Sequence, residues 1–182
     1  MYQQLLGKIA QIRAEVPVPY MVIGGQAVLV YGEPRMTRDI DITLDADIDI
    51  IEDILQAIQG TSFRPLPEDI RAFAKSTRVL PIQDDQTKIR VDLIFSFSPY
   101  EHVAIQRSRP LDISGVLVNF ASPEDLVIHK LVAGRPRDIE DAKSIVLRQT
   151  QLDAEYVEKW LKEFEPVVGR GLILDFRSLQ AQ

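Results

Sequence analysis

Leu5, Leu6, Ile9 and Ile12 recur at helical spacing through residues 2–15, and the run stops before Pro17 and Pro19. The chain therefore opens with a predicted amphipathic helix. Residues 20–23, Tyr-Met-Val-Ile, form a short apolar run that reads as a buried strand. Gly24-Gly25 ends it, and the following QAVLVYGE can form a short helix. From Arg38 to Leu44 polar and apolar residues alternate, which predicts a half-exposed strand. Asp45 to Asp47 then caps a predicted helix in which Ile51, Ile54, Leu55 and Ile58 share a face, with Gly60 at its end.

Prolines punctuate RPLPEDIRAFAKS, which predicts a loop with a short helix. VLPIQ, the polar turn DDQT and KIRVDLIFSF predict a β-hairpin, followed by a helical PYEHVAIQRS and a strand over GVLVNFA. Ser122, Pro123 and Asp125 stand as N-cap, N1 and N3 of a helix start. Helices are predicted beyond it over 123–133, 137–149, 153–165 and 170–180. The fold class is thus α/β (α+β), with a mixed β-sheet flanked by helices and a helical C-terminal half. The domain reading is a core over residues 1–121 and a helical sub-domain over 122–182, expected to pack on the core because no flexible linker separates them.

Composition narrows the function classes. The 182 residues are 46% apolar and 26% charged, ordinary for a soluble domain. Cysteine is absent, so there is no disulfide framework and no thiolate zinc site. The first fifteen residues lack the apolar core of a signal peptide, and no apolar run approaches a membrane span. A cytoplasmic protein is expected. The net charge of −6 weighs against a broad nucleic-acid surface, and an acidic protein handling an anionic nucleotide needs metal ions to screen the phosphates.

The candidate chemistry lies in the acids. Residues two apart on a strand point to the same side, so Asp39 and Asp41 share a face while Ile40 and Ile42 turn to the core. Two such carboxylates repel each other, and a divalent cation such as Mg²⁺ removes that penalty. Because Asp45, Asp47 and Asp49 continue the alternation, a solvated strand edge is an equal reading of the pair. Asp92 lies inside the apolar strand RVDLIF, where an acid is costly unless it is metal-bound or hydrogen-bonded. Gly24-Gly25 admits either a phosphate-approaching backbone or a tight turn.

In combination these residues resemble the nucleotidyltransferase fold of the DNA polymerase beta superfamily: an apolar residue, Gly-Gly, a spacer, Asp-apolar-Asp, then an acid on a later strand. The form Gly24-Gly25 with Arg35-x-Thr37-x-Asp39-Ile40-Asp41, together with PEDLVIHKLVAGRPRDIEDA at 123–142, is similar to the AbiEii-type branch of toxin–antitoxin and abortive-infection systems. The resemblance covers most of residues 20–147. It implies transfer of a nucleoside monophosphate from a nucleoside triphosphate, with Asp39, Asp41 and Asp92 as catalytic metal ligands for Mg²⁺ or Mn²⁺. It also implies nucleotide contacts from Gly24, Gly25, Arg35, Thr37, Lys130 and Asp141. The acceptor (RNA such as tRNA, a protein or a small molecule) is left open, and a cognate antitoxin or toxin is an implied partner; no membrane is.

Blander roles stand beside these. Lys130 reads equally as a snorkelling surface lysine. Asp138 and Asp141 read as members of ordinary surface bridges to Arg135 or Arg137. Arg35 reads as a counter-ion of nearby aspartates, and Thr37 as a hydrogen-bonding prop. His102 and His129 lack metal-ligand spacing, and Trp160 with Phe164 reads as the core face of a helix. Competing functions are a non-catalytic nucleotide- or protein-binding relative of the fold and an antibiotic adenylyltransferase. A histidine–aspartate phosphohydrolase is disfavoured because its His-Asp pair is missing.

Overall fold

The structure, a computed structural model, describes residues 2–181, with the side chains of residues 2, 3, 10, 11, 13 and 14 outside that description. The chain forms two compact units: residues 1–26 with 37–121, and residues 27–36 with 122–182.

The first unit is built on a seven-stranded mixed sheet. Its strands are β1 (Tyr20–Ile23), β2 (Asp39–Leu44), β3 (Phe63–Pro65), β4 (Val79–Asp84), β5 (Arg90–Phe95), β6 (Arg109–Ile113) and β7 (Val116–Phe120), in the order β3-β4-β5-β2-β1-β7-β6. β2 runs parallel to β5 and β1 parallel to β7; the other neighbours are antiparallel. Ile40, Ile42, Val91, Leu93 and Phe95 are buried on one face of the central strands, so the alternating residues lie on the other. Helix α1 (Tyr2–Glu15) buries Leu5 and Leu6, the inward residues its spacing predicts.

Local signals place the remaining elements of this unit. Asp47 accepts from the Ile48 N–H and opens a 3₁₀ turn over Ile48–Ile50, which leads into α3 (Ile51–Ala57). Asp69 caps α4 (Ile70–Thr77). Ser98 and Glu101 form a full capping box at α5 (Pro99–Gln106). The β4–β5 hairpin is held by Asp84, a fully buried carboxylate that accepts from the Thr87 N–H and hydroxyl, from Ser62 and from Lys8 on α1. Burial opposes its ionisation, but these donors outweigh it and keep the carboxyl far below the ordinary carboxylate range.

Two strands were not legible. β3 is three residues of a proline-punctuated stretch, and β6 is an exposed edge strand containing Pro110, so neither shows an apolar alternation. β6 returns into β7 through Ser114-Gly115, both at positive φ.

The second unit is helical. Helix α2 (Gly24–Tyr31) contributes its later residues, followed by α6 (Pro123–Ala133), α7 (Pro136–Arg148), α8 (Ala154–Val168) and α9 (Leu172–Gln180). Ser122 caps α6, its oxygen accepting from the Asp125 N–H while its hydroxyl donates to the Asp125 carboxylate. α6 is buried on every side: Leu126, Val127, Ile128 and Leu131 are all inaccessible. Residues 31–33 are tied into this unit by Gln149 donating to the Tyr31 carbonyl and by Ser144 accepting from the Glu33 N–H. A Cβ on Gly32 would stand 2.5 Å from Ser144 Oγ, so glycine permits that approach.

Val157, Trp160, Leu161 and Phe164 share one face of α8. Its fully buried residues are Val157 and Leu161, while Trp160 and Phe164 are half-buried. Trp160 meets Tyr156 edge-on at 6.4 Å between ring centroids and carries Lys159 over its ring. The residues that point inward are set by which flank of the helix faces α6, which side-chain size alone does not tell.

Candidate functional site

The parallel pairing of β2 with β5 sets Asp41 directly beside Asp92, and Asp39 beside Arg90. Registered residues of adjacent strands lie on the same face, about 4.8 Å apart. Asp39, Asp41 and Asp92 therefore share the face opposite Ile40, Ile42 and Val91, and each is half-buried. On the other side of β2, Asp41 is paired with Ile23, the last residue of β1, so the chain turns into Gly24 right beside its carboxylate.

That contact explains the first glycine. Gly24 has φ +63°, and a Cβ there would stand 2.0 Å from Asp41 Oδ2. A side chain there would have to displace the carboxylate, and the left-handed conformation independently favours glycine. Gly24 also begins α2, so the Asp41 carboxylate lies against the positive end of a helix, where a negative charge is favoured. Gly25 follows in the first turn of the same helix.

The neighbouring side chains steady the acids. The Thr37 hydroxyl lies 3.2 Å from Asp39 Oδ1 and 3.3 Å from the Asp39 carbonyl, the prop its spacing predicts. Arg90 donates through Nε to Asp92 Oδ1 at 2.7 Å. Further along, His102 Nδ1 lies 2.8 Å from Asp45 Oδ2, an exposed pair away from any metal-ligand arrangement.

A divalent cation is the group this donor set suits, since three carboxylates on one rigid face are hard oxygen ligands. The side chains as they stand do not converge on a common point: among the described residues no three His, Cys, Asp or Glu form a metal-holding group. The backbone register and the room left by Gly24 fit a metal held by Asp39, Asp41 and Asp92, with the Arg90 guanidinium as a competing cation on Asp92.

The helical unit holds a second cluster. Lys130 on α6 stands 2.9 Å from both Asp138 Oδ1 and Asp141 Oδ2 on α7. Arg35 grips Asp141 with both arms of its fork, Nε at 2.7 Å and Nη2 at 2.8 Å. Arg135 closes on Asp138 at 2.5 Å. The side chains of Lys130, Asp138 and Asp141 are 8%, 3% and 4% exposed, so the ordinary surface bridges expected for Asp138 and Asp141 are in fact buried. Lys130 is no snorkelling surface lysine either. Burial opposes ionisation of both aspartates, yet the adjacent cations outweigh it and hold both below the usual carboxylate value. Arg35 neutralises an aspartate, as its structural reading has it, but that aspartate is Asp141 and not the nearby Asp39 or Asp41. The signal that could have found this cluster is the spacing of Asp138 and Asp141, one helical turn apart on one face.

A model of the family described as nucleotidyltransferase of unknown function (DUF6036) matches residues 3–169. The chain belongs to this family. Solved structures agree with that assignment in fold. The antigenic nucleotidyltransferase-like protein from Paracoccidioides brasiliensis superimposes with a TM-score of 0.63 at 16% identity, over 98% of this chain and 91% of that one. ANT(2'')-Ia, solved in complex with adenylyl-2''-tobramycin, gives 0.60 at 20% identity over 91% and 98%. The lincosamide antibiotic adenylyltransferase LnuA, lincomycin-bound, gives 0.50 at 16% identity over 77% and 95%. At these identities the likeness is one of fold, and it makes this DUF6036 chain a nucleotidyltransferase-fold protein with a mixed sheet flanked by helices. No curated protein matches the chain. Among the described residues, no helix is long and apolar enough to cross a membrane.

Proposed function

We propose that this member of the DUF6036 family transfers a nucleoside monophosphate from a nucleoside triphosphate to a hydroxyl-bearing acceptor in the cytoplasm. The observation that carries the reading is the pairing of Asp41 with Asp92 on one sheet face, against a glycine that leaves room for the Asp41 carboxylate.

In the reaction the acceptor oxygen attacks the α-phosphorus in line, a new P–O ester bond forms, and the bond to the bridging oxygen breaks to release pyrophosphate. Asp92 receives the hydroxyl proton as the bond forms. Backbone N–H groups of Gly24, Gly25 and the first turn of α2 orient the phosphates. Thr37 holds Asp39 in place. Mg²⁺, or Mn²⁺ in its stead, held by Asp39, Asp41 and Asp92, would supply neutralisation of charge on the phosphate oxygens. Positioning and electrostatics then account for most of the acceleration. Lys130, Asp141 and Arg35 enter this reading through the AbiEii-type resemblance, and their ion pairs support a part in fixing α6 to α7 and to the segment that carries Arg35. The same resemblance makes a cognate toxin or antitoxin protein the partner to look for.

For the acceptor, a small molecule is the reading supported by ANT(2'')-Ia and LnuA, whose structures hold adenylyl-tobramycin and lincomycin. The experiment is incubation with each radiolabelled nucleoside triphosphate, Mg²⁺, and in separate reactions tRNA, cell protein, aminoglycosides and lincosamides. Transfer to one acceptor class by the wild type, lost by at least about a thousandfold in Asp41→Asn with the fold intact, is the expected result. Equal transfer by both proteins removes the catalytic assignment. Nucleotide binding with no transfer to any acceptor favours the non-catalytic alternative.

A further inference from the structure

Arg90 has no part in the proposed reaction, yet it makes a close ionic contact with a proposed metal ligand. It stands two residues before Asp92 on β5, hence on the same face, and its Nε donates to Asp92 Oδ1 at 2.7 Å. The Asp92 side chain is 16% exposed and the Arg90 side chain 48%, so the guanidinium reaches in from solvent over a sheltered carboxylate. Its strand neighbours on that face are Asp39 of β2 and Gln83 of β4. Gln83 is already engaged, its oxygen accepting from Arg64 and its amide donating to the Lys88 carbonyl. Among the described residues, the side-chain hydrogen bond of Arg90 is the one to Asp92.

We propose that Arg90 is a resident counter-ion that occupies Asp92 until a divalent cation displaces it, so that metal binding at this face proceeds by exchange of one cation for another. The inference rests on the proposed metal-dependent function and deepens it. Asp92 stands beside Asp41 on the adjacent strand, and the Arg90 guanidinium offsets the Asp92 charge there. A metal draws on the same carboxylate, and the guanidinium on Oδ1 competes with it for that negative charge. A guanidinium cannot shed its proton to give way, so it yields by moving. Arg90 is therefore a positioning residue whose removal frees a ligand and also subtracts a positive charge that repels the incoming ion. Both effects act in the same direction, toward tighter metal binding.

Mn²⁺ titration of the isolated protein, followed by electron paramagnetic resonance of the free ion, reads this without any turnover. Arg90→Gln should bind Mn²⁺ about threefold to tenfold more tightly than the wild type, the loss of an exposed charge contact plus a nearby repulsion. Arg90→Lys keeps the charge and should stay near the wild-type affinity, and Asp92→Asn should bind far more weakly than either. Matching circular dichroism spectra establish that the variants are folded. Equal or weaker Mn²⁺ binding by Arg90→Gln, alongside measurable binding by the wild type, overturns the exchange while leaving the metal reading in place. Absence of binding in the wild type and in Arg90→Gln alike removes the metal reading and the exchange with it.

Discussion

The chain places aspartates in two settings that differ in what surrounds them. In the helical unit, Asp138 and Asp141 are buried, and each is met by Lys130 together with an arginine. On the sheet face, Asp39, Asp41 and Asp92 are half-buried and set beside one another, steadied by a hydroxyl, a glycine and a half-exposed guanidinium. Buried carboxylates persist only where cations and hydrogen bonds offset their desolvation. The helical cluster meets that condition from within the chain, with fork-like geometry and short distances. On the sheet face, Asp92 meets it through a guanidinium that is half-exposed. A closed cluster of this kind organises helices; the cation proposed for the sheet face would come from outside the chain.

The largest way to test the contrast is to break the closed cluster. Lys130→Met leaves two buried aspartates short of a shared partner and should destabilise the helical unit by about 3–5 kcal/mol, read as a shift of the denaturant midpoint. The same substitution costing under about 1 kcal/mol would mean that Asp138 and Asp141 are satisfied without it. Next comes the open site. Gly24→Ala places a methyl group 2.0 Å from Asp41 Oδ2 at a positive φ. It should cost about 1–3 kcal/mol of stability through backbone strain and crowding. It should also lower nucleotidyl transfer by more than the stability loss explains, measured at a temperature where the variant is fully folded.

Acid titration reads the buried, paired carboxylates of both units. The folded-state pKa values of Asp138, Asp141 and Asp84 lie below the ordinary aspartate value of 3.8, so their contribution is complete above that value. It is lost as pH falls from about 3.8 through the folded values, because the unfolded state binds protons first. Thermal unfolding scans between pH 6 and pH 2 should show this acid limb, and Asp141→Asn should flatten it. The smallest effect is expected at Arg135, whose side chain is 76% exposed although its partner is buried. Arg135→Ala should change the stability by no more than about 1 kcal/mol; a loss rivalling that of Lys130→Met would make it an equal member of the cluster.

Much of this molecule was legible in local pattern. The Ser122-Pro123-Asp125 start of α6, the β4–β5 hairpin and the inward residues of β2 depend on caps, turns and a period of two, all expressed within a few residues. The short edge strands β3 and β6 escaped because an exposed strand needs no apolar alternation and takes its definition from the neighbour it pairs with. The acids of the sheet face could be singled out because an aspartate between Val91 and Leu93 is conspicuous in any apolar run. What could not be read was which cation each acid meets.

By itself the sequence determined the periodicities, the helix starts, the side of each strand that turns inward and the residue types capable of metal or phosphate chemistry. These follow from backbone geometry and side-chain chemistry acting over a few residues. The tertiary structure alone decided that Asp41 stands beside Asp92, that Gly24 makes room for a carboxylate, and that Arg35 reaches across the sequence to Asp141 and not to the aspartates a few residues away. Charge attracts over distance without direction, so the partner of an ionic side chain is chosen by where packing brings the backbones together.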